Sequence, residues 1–460
     1  MSVPSLHAES TVAAISTPPG AGGIAVVRMT GPDSLSILRA VFRPHSDICS
    51  FRSHHMYYGQ VVEPRTGEPI DEAMALFMAG PKSYTREDVV EIHGHGNSLL
   101  AHRLLETLLA QGASLAEPGE FTKRAFLNGR IDLTSAEAVL DVLAARTRKG
   151  LEMAERQLAG ALFQRLASIR ERLLHGLAIL EVAIDFPDEE EEIVDWRLLA
   201  ESLRGMAAEF ADLLAASRQG QLLREGARVV ICGLPNVGKS SLLNALLCEE
   251  RALVTAIPGT TRDTIEEYFD LNGLPVRCID TAGIRDDADL VEAQGIVRAR
   301  AAIDRADLLL LLHDATRPWL APEDELLATL GHKPLLYVLN KIDAAPAPPA
   351  AAPSVLGEPL AISALTGQGL DALRQAMFHR LTDGASQWEE NSCAPNLRQT
   401  EAIRRALDAI NRAQETLALR APDLLTVELR ECLDELNGMI GLTTTDDVLD
   451  AIFSRFCLGK

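Results

Sequence analysis

The sequence predicts a chain of mixed class, α/β plus α+β and all-α. A P-loop G domain with a parallel sheet is inserted in a helical domain, and an α+β domain precedes both. Three observations carry this reading. Between about residues 222 and 382, aliphatic runs alternate with loops and helical segments, the pattern of βαβ units. The zones on either side, 119–221 and 383–460, read as helical. Residues 1–118 instead mix short apolar runs with turn signals. At 460 residues the chain has room for about three domains.

Each element follows from local pattern. Val12–Ile15, Ile24–Met29, Tyr57–Val62, Ala73–Met78 and Val89–His93 read as strands, and Leu99–Gln111 as a helix. Thr17-Pro-Pro-Gly-Ala-Gly-Gly23 is a turn signal. From Thr134 to about Phe186 the period changes. Leu158, Leu162, Leu166, Ile169, Leu173, Leu177, Leu180 and Ile184 are spaced by 4, 4, 3, 4, 4, 3 and 4. An 11-residue repeat stays near the period of a straight helix, so one stripe stays on one face. Pro187 and the acidic run Asp188–Glu192 end it, and Trp196–Ala216 restarts helical. The chain is helical again from Leu397, with a last helix opened by Thr445 and early acids and closed by Gly459. In the insert, Ala227–Cys232, Pro275–Ile279, Leu308–His313, Leu335–Leu339 and Leu360–Ile362 are the strand runs. The Pro/Ala tract Ala344–Pro353 is a surface loop within it. Insertions of this kind succeed where two chain ends meet at an exposed loop.

Composition narrows the function classes. Lys and Arg number 44 against 65 Asp and Glu, a net charge of −21, which argues against binding nucleic acid by bulk positive charge. Hydrophobic residues at 47% exclude a disordered chain. No apolar run is long enough to span a bilayer, and the N-terminus has no secretory pattern. Seven scattered cysteines without a CxxC pair predict neither a disulfide framework nor a zinc site, and fit a reducing cytoplasm.

Gly233-Leu-Pro-Asn-Val-Gly-Lys-Ser240 matches G-x-x-x-x-G-K-[ST] between a strand and the helix Ser241–Leu247, the context the motif requires. Its glycines allow the amides around Asn236, Val237, Gly238 and Ser241 to wrap phosphates at a helix N-terminus. Lys239 is expected to reach the β/γ-phosphates and Ser240 to bind Mg²⁺. Three later strand ends follow in order. Asp280-Thr281-Ala282-Gly283 suits the Mg²⁺ shell and the γ-phosphate. Asn340-Lys341-Ile-Asp343 offers a carboxylate that can accept from both guanine N1–H and N2–H₂. Ser363-Ala364-Leu365 suits a backbone contact to guanine O6. Together they predict GTP binding. The residue after Gly283 is Ile284, which has no polar atom with which to position an attacking water. Water positioning must come from elsewhere, from a monovalent cation or from Glu292. The alternative is a slow switch awaiting an external activator.

The sequence resembles the MnmE (TrmE) family of tRNA modification GTPases over essentially its whole length. The marks are Pro235-Asn236, Gly259-Thr-Thr-Arg-Asp263, Val291-Glu292, Cys457-Leu-Gly-Lys460, Thr17-Pro-Pro-Gly20, Pro118-Gly-Glu-Phe121 and Arg124-Ala-Phe-Leu-Asn128. The resemblance implies an N-terminal domain that binds tetrahydrofolate and dimerises. It implies an FAD-dependent partner, MnmG, carrying its own FAD, in a heterotetramer or larger complex. With it the homodimer would add a carboxymethylaminomethyl group to the wobble uridine of certain tRNAs. The one-carbon unit would come from a 5-formyl or 5,10-methylene tetrahydrofolate. Thr261 matches a Mg²⁺-binding threonine. Asn236, with Thr255, Ala256, Ile257, Pro258, Gly259 and Thr260, matches a K⁺ site, whose ligands are Asn236, Thr255, Ile257 and Thr260. Glu292 matches a glutamate that helps orient the attacking water. Arg28, Glu91, Arg130 and Lys460 match folate-contacting positions, with Arg130 in place of a common lysine. The resemblance makes convergence of these four on one pocket an expectation, through a domain or dimer interface. The alternative function is a non-catalytic switch GTPase in RNA or ribosome assembly.

Some residues remain open on sequence alone. Cys457, beside Lys460, suits a nucleophilic or redox role or a site-shaping one. His93 and His95 share a strand face without a third ligand in view, so a metal is not expected. Arg146, Arg148, Lys149, Arg156, Arg165, Arg170 and Arg172 are expected on solvated helix positions, with tRNA phosphates as the alternative.

Overall fold

A computed structural model describes residues 10–189, 193–249, 267–280, 300–345, 353–382, 384 and 393–460. The N-terminal part is a seven-stranded sheet of β1 (Val12–Ile15), β2 (Ile24–Thr30), β3 (Phe42–Pro44), β4 (His55–Val62), β5 (Pro69–Met78), β6 (Val89–His95) and β7 (Ser114–Leu115). Its order is β3-β4-β5-β6-β2-β1-β7, with only the β1–β7 pair parallel. The strand period of two sends Val27, Met29, Val90 and Ile92 into a core with Leu38, Val41, Leu104 and Leu108 of helices Ser34–Val41 and Ser98–Ala110. The same period places Arg28 and Glu91 on the opposite face, as cross-strand partners. β3, β7 and the short helix Ser34–Val41 are too brief to show a period, which is why pattern alone does not mark them.

The helical part packs Ala161–Asp185, Trp196–Glu225, Leu397–Thr416 and Pro422–Ile440 around one core. Leu162, Leu166, Ile169, Leu173, Leu177 and Leu180 line it as the 11-residue repeat requires. The expected stripe is shortened at both ends. Gly160, left-handed at φ 87°, breaks the helix, so Leu158 belongs to the preceding helix Arg148–Leu158 and is exposed. In the last turn Ala183 takes the core side and Ile184 faces solvent. Trp196 starts a helix nine residues longer than its pattern marks, ending at Glu225 rather than Ala216.

The insert is a six-stranded sheet of β8 (Ala227–Cys232), β9 (Glu267–Leu271), β10 (Leu274–Asp280), β11 (Leu308–Asp314), β12 (Leu335–Asn340) and β13 (Leu360–Ala361). Its order is β13-β12-β11-β8-β10-β9, parallel except for the β9–β10 hairpin. All seven residues of β11 are buried, as expected of a strand covered on both faces. The chain enters and leaves the insert at one place. Arg224, at the end of the entering helix, donates to the carbonyls of Ala394 (2.7 Å) and Pro395 (2.5 Å) on the returning segment. Gln157 also donates to Ala394 O.

The helical part holds the hairpin as well: the Arg146 guanidinium lies 3.6 Å from the Tyr268 ring centroid, and Thr147 Oγ1 donates to Gly273 O at 2.7 Å. Four other cations of that stretch have partners within the helical part, with the Arg148 side chain still 89% exposed. Arg148 and Lys149 meet Glu152, Arg172 meets Glu209 and Arg170 Nε donates to Asn437.

Gly459 does not close the last helix. That helix, Asp446–Phe453, ends with Ser454 at its C-cap, and Gly459 (φ 83°) turns the chain end instead. The turn is stabilised by Lys460 N–H to Cys457 O at 3.4 Å. Among the described residues, no helix is long and apolar enough to cross a membrane.

Candidate functional site

β8 runs directly into the phosphate loop, which opens the helix Lys239–Glu249. Gly233 (φ 151°), Asn236 (φ 62°) and Gly238 (φ 98°) bend it so that amides turn inward at a helix N-terminus, an anion cradle. Lys239, 8% exposed, folds over the loop and donates to Gly233 O (3.0 Å) and Leu234 O (2.9 Å). Nucleotide phosphates on the same loop are stronger acceptors for that ammonium. Ser240 sits in the first turn of the helix, where a hydroxyl can meet a phosphate-bound cation.

The ends of β12 and β13 lie beside this cradle. Asn340 works in both directions: Nδ2 donates to Val237 O at 2.9 Å, and Oδ1 accepts Ala364 N–H at 3.0 Å. It thereby joins the phosphate loop to the Ser363-Ala364-Leu365 loop. Ser363 Oγ donates to Asp343 Oδ1 at 2.5 Å, which orients the carboxylate. Lys341 (φ 67°) reaches Asn236 O at 2.6 Å and Asp314 Oδ2 at 2.7 Å. Asp280 ends β10, one sheet position from β8. Thr255, Ala256, Ile257, Pro258, Gly259, Thr260, Thr261, Thr281, Ala282, Gly283, Ile284 and Glu292 lie outside the described residues, as does the Asp280 side chain.

A second cluster forms where the chain end meets the N-terminal sheet. Arg28 Nε and NH2 both lie 2.8 Å from Glu91 Oε1, and His93 Nε2 is 3.1 Å from Glu91 Oε2. The His93 hydrogen bond and the Arg28 charge hold the Glu91 carboxyl at about 2, against burial, which pushes it up. Arg28 NH1 and Ser16 Oγ both donate to Gly459 O, at 3.3 and 3.2 Å. Phe121 N–H donates to Lys460 O at 3.1 Å and Gly119 N–H to Cys457 O at 3.5 Å. The Arg28 guanidinium is 5.7 Å from the Phe121 ring centroid. Gly459 is required here, since a Cβ would lie 2.7 Å from Ile15 O.

Of the four positions expected to converge, Arg28 and Glu91 pair directly, and Lys460 comes near them through its neighbour Gly459 while its own carbonyl meets Phe121 N–H. Arg130 stands one ring further away: it stacks 4.6 Å from the Tyr84 centroid and donates to Tyr84 O at 2.9 Å. Tyr84 packs on the cluster that contains Phe121. Cys457 is exposed beside this contact. His95 pairs with Asp71 at 2.7 Å rather than with His93. Among the described residues, no group of three His, Cys, Asp or Glu side chains is placed to hold a metal.

Sequence reasoning attached no role to Arg124. It is 3% exposed and bridges Glu87 (3.2 Å), Glu120 (2.6 Å) and Ser10 O (2.9 Å), while Asn128 Nδ2 donates to Thr85 O at 2.7 Å. The Arg124–Asn128 motif is thus the clamp between the N-terminal sheet and the helix that starts the next domain. The available signal was Glu120, one helical turn before Arg124.

Phosphate loop, the strand-end loops beside it and sheet order are those of a P-loop GTPase. Residues 133–457 match the model of the MnmE helical domain, and residues 11–130 match that of the GTP-binding protein TrmE N-terminus. The tRNA modification GTPase MnmE of Desulfotalea psychrophila is 52% identical over 459 residues, covering 98% of each chain. Those of Geobacter sulfurreducens and Chloroflexus aurantiacus are 46% and 48% identical, covering 99% and 98% of this chain and 100% and 99% of theirs. The chain belongs to the MnmE (TrmE) family of tRNA modification GTPases.

Proposed function

We propose that this GTPase, with an FAD-dependent MnmG-type partner, adds a carboxymethylaminomethyl group to C5 of the wobble uridine of certain tRNAs, drawing one carbon from a tetrahydrofolate. The observation that supports a second, non-nucleotide site is the seating of Gly459 O against Arg28 and of Lys460 O against Phe121 N–H. Glu91, an anion there, and the Arg28 cation suit a ligand with both donors and anionic groups, as a folate has. Lys460 offers an ammonium for a glutamyl carboxylate. The direct test is mass analysis of wobble uridines in cells lacking the chain. Loss of the modified base supports the reading; unmodified levels equal to wild type favour a non-catalytic switch GTPase. Deleting Lys460 is expected to weaken tetrahydrofolate binding about tenfold, as for loss of one charge-assisted contact, with GTP binding intact. Equal folate affinity in the truncated chain would remove Lys460 from the site.

For hydrolysis, the loop amides and Lys239 hold the phosphates, and Ser240 and Thr261 hold Mg²⁺. The exposed Asn236, a neutral carbonyl donor on the phosphate loop, fits K⁺ together with Thr255, Ile257 and Thr260. A monovalent cation there supplies the charge stabilisation that an arginine finger gives elsewhere. Glu292 orients the attacking water, since Ile284 cannot. GTP hydrolysis is therefore expected to run faster in K⁺ than in Na⁺ and to rise as G domains pair. Glu292→Ala is expected to slow it by about 10²-fold with little change in nucleotide affinity. Equal rates in both salts, with a fully active Glu292→Ala variant, would leave the externally activated switch.

A further inference from the structure

We propose that Asp314, outside the nucleotide motifs, is the positioning residue that fixes the Asn236 main chain on the phosphate loop, acting through Lys341. The assignment of Asn236 as a cation ligand rests on the function proposed above; the brace itself rests on distances. The Asp314 side chain is 5% exposed and every oxygen is engaged. Oδ1 accepts Thr316 N–H at 3.0 Å and Thr316 Oγ1–H at 2.6 Å. Oδ2 meets Lys341 Nζ at 2.7 Å and Arg317 NH2 at 3.4 Å. Burial pushes its carboxyl up, but the hydrogen bonds from Lys341 and Thr316 outweigh this and hold it at about 2, so it stays an anion.

That anion determines where the Lys341 ammonium sits. A lysine is a point charge on a flexible stem and takes its place from its partners. With Asp314 on one side, Nζ is left 2.6 Å from Asn236 O. Asn236 sits at φ 62°, a left-handed conformation that asparagine tolerates better than other non-glycine residues, and the Lys341 contact fixes its carbonyl there. Pinning its carbonyl fixes the peptide plane that follows, and Asn340 Nδ2 pins the next carbonyl, Val237 O. Two consecutive carbonyls of the phosphate loop are therefore held from the end of β12. The register of β11 on β12, which pairs Asp314 with Asn340, brings the carboxylate to that point.

The test uses the full-length chain with GDP bound. Asp314→Asn keeps the shape and removes the charge; Asp314→Glu keeps the charge on a longer stem. Hydrogen exchange of amides 233–239 is expected to quicken about tenfold in Asp314→Asn, with β8 and β11 amides unchanged, and by less in Asp314→Glu. The K⁺ concentration for half-maximal GTP hydrolysis is expected to rise about tenfold, with the rate at saturating K⁺ within about twofold of wild type. Unchanged loop exchange would overturn the proposal, as would equal acceleration across the whole sheet, which marks a general stabiliser. A wild-type chain indifferent to K⁺ would overturn the cation role of Asn236, while loop exchange still decides the brace. If Asp314→Asn does not fold, loop exchange in Asp314→Glu decides alone: faster supports the brace and unchanged rejects it.

Discussion

Asp343→Asn is expected to lose GTP affinity by roughly 30- to 900-fold and to gain xanthosine triphosphate. Guanine presents N1–H and N2–H₂ together, and only an acceptor pair such as a carboxylate takes both. Replacing the carboxylate with an amide removes a charge-assisted pair and sets donor against donor, a loss of about 2–4 kcal/mol. Xanthine carries an oxygen at C2, to which the new amide can donate. The carboxylate is already oriented by Ser363 Oγ at 2.5 Å, so the readout depends on one fixed group rather than on a mobile one. Binding of both nucleotides by a fluorescent displacement titration checks it. GTP affinity equal to wild type would remove Asp343 from base recognition.

Gly238→Ala is expected to cost roughly 10²- to 10³-fold in nucleotide affinity, while the rest of the chain folds normally. Two effects act together. At φ 98° an alanine is strained by about 1–2 kcal/mol. Its Cβ would also run into Asn340 Nδ2. To make room, Asn340 has to leave Val237 O and Ala364 N, each hydrogen bond contributing about 1 kcal/mol. The sum is about 3–4 kcal/mol. Titration with labelled GDP, alongside thermal unfolding of the helical part, separates the local loss from a global one. Near-normal nucleotide binding would mean the loop relaxes around the methyl group and the glycine is not required.

The described part of the candidate nucleotide site was legible in the sequence because it is built at strand ends, where a few residues in fixed order carry the turn. Gly233 to Ser240, Asn340 to Asp343 and Ser363 to Leu365 are local patterns, and the sheet brings them together with no further information needed. Asp314 was not legible for the opposite reason. As a sequence element it is an acid at the end of a leucine-rich strand, and its role exists only through the β11–β12 register. The chain end was misread in a related way. Gly459 five residues after a helix cap looks like a terminator, but its conformation is set by Ile15 and Ser16, far away in sequence. The helical stripe was legible along its middle and failed at its ends, where Gly160 and Ala183 decide which face meets the core.

The seam between Ser16 and Gly459 joins residues 443 positions apart. During synthesis the N-terminal sheet is exposed long before the last residues are made. Its Arg28 and Ser16 donors meet Gly459 O only once the segment carrying Gly459 has been made, so this contact forms late as the chain emerges. A product cut short before Gly459 can carry an intact phosphate loop and still leave both donors without this acceptor.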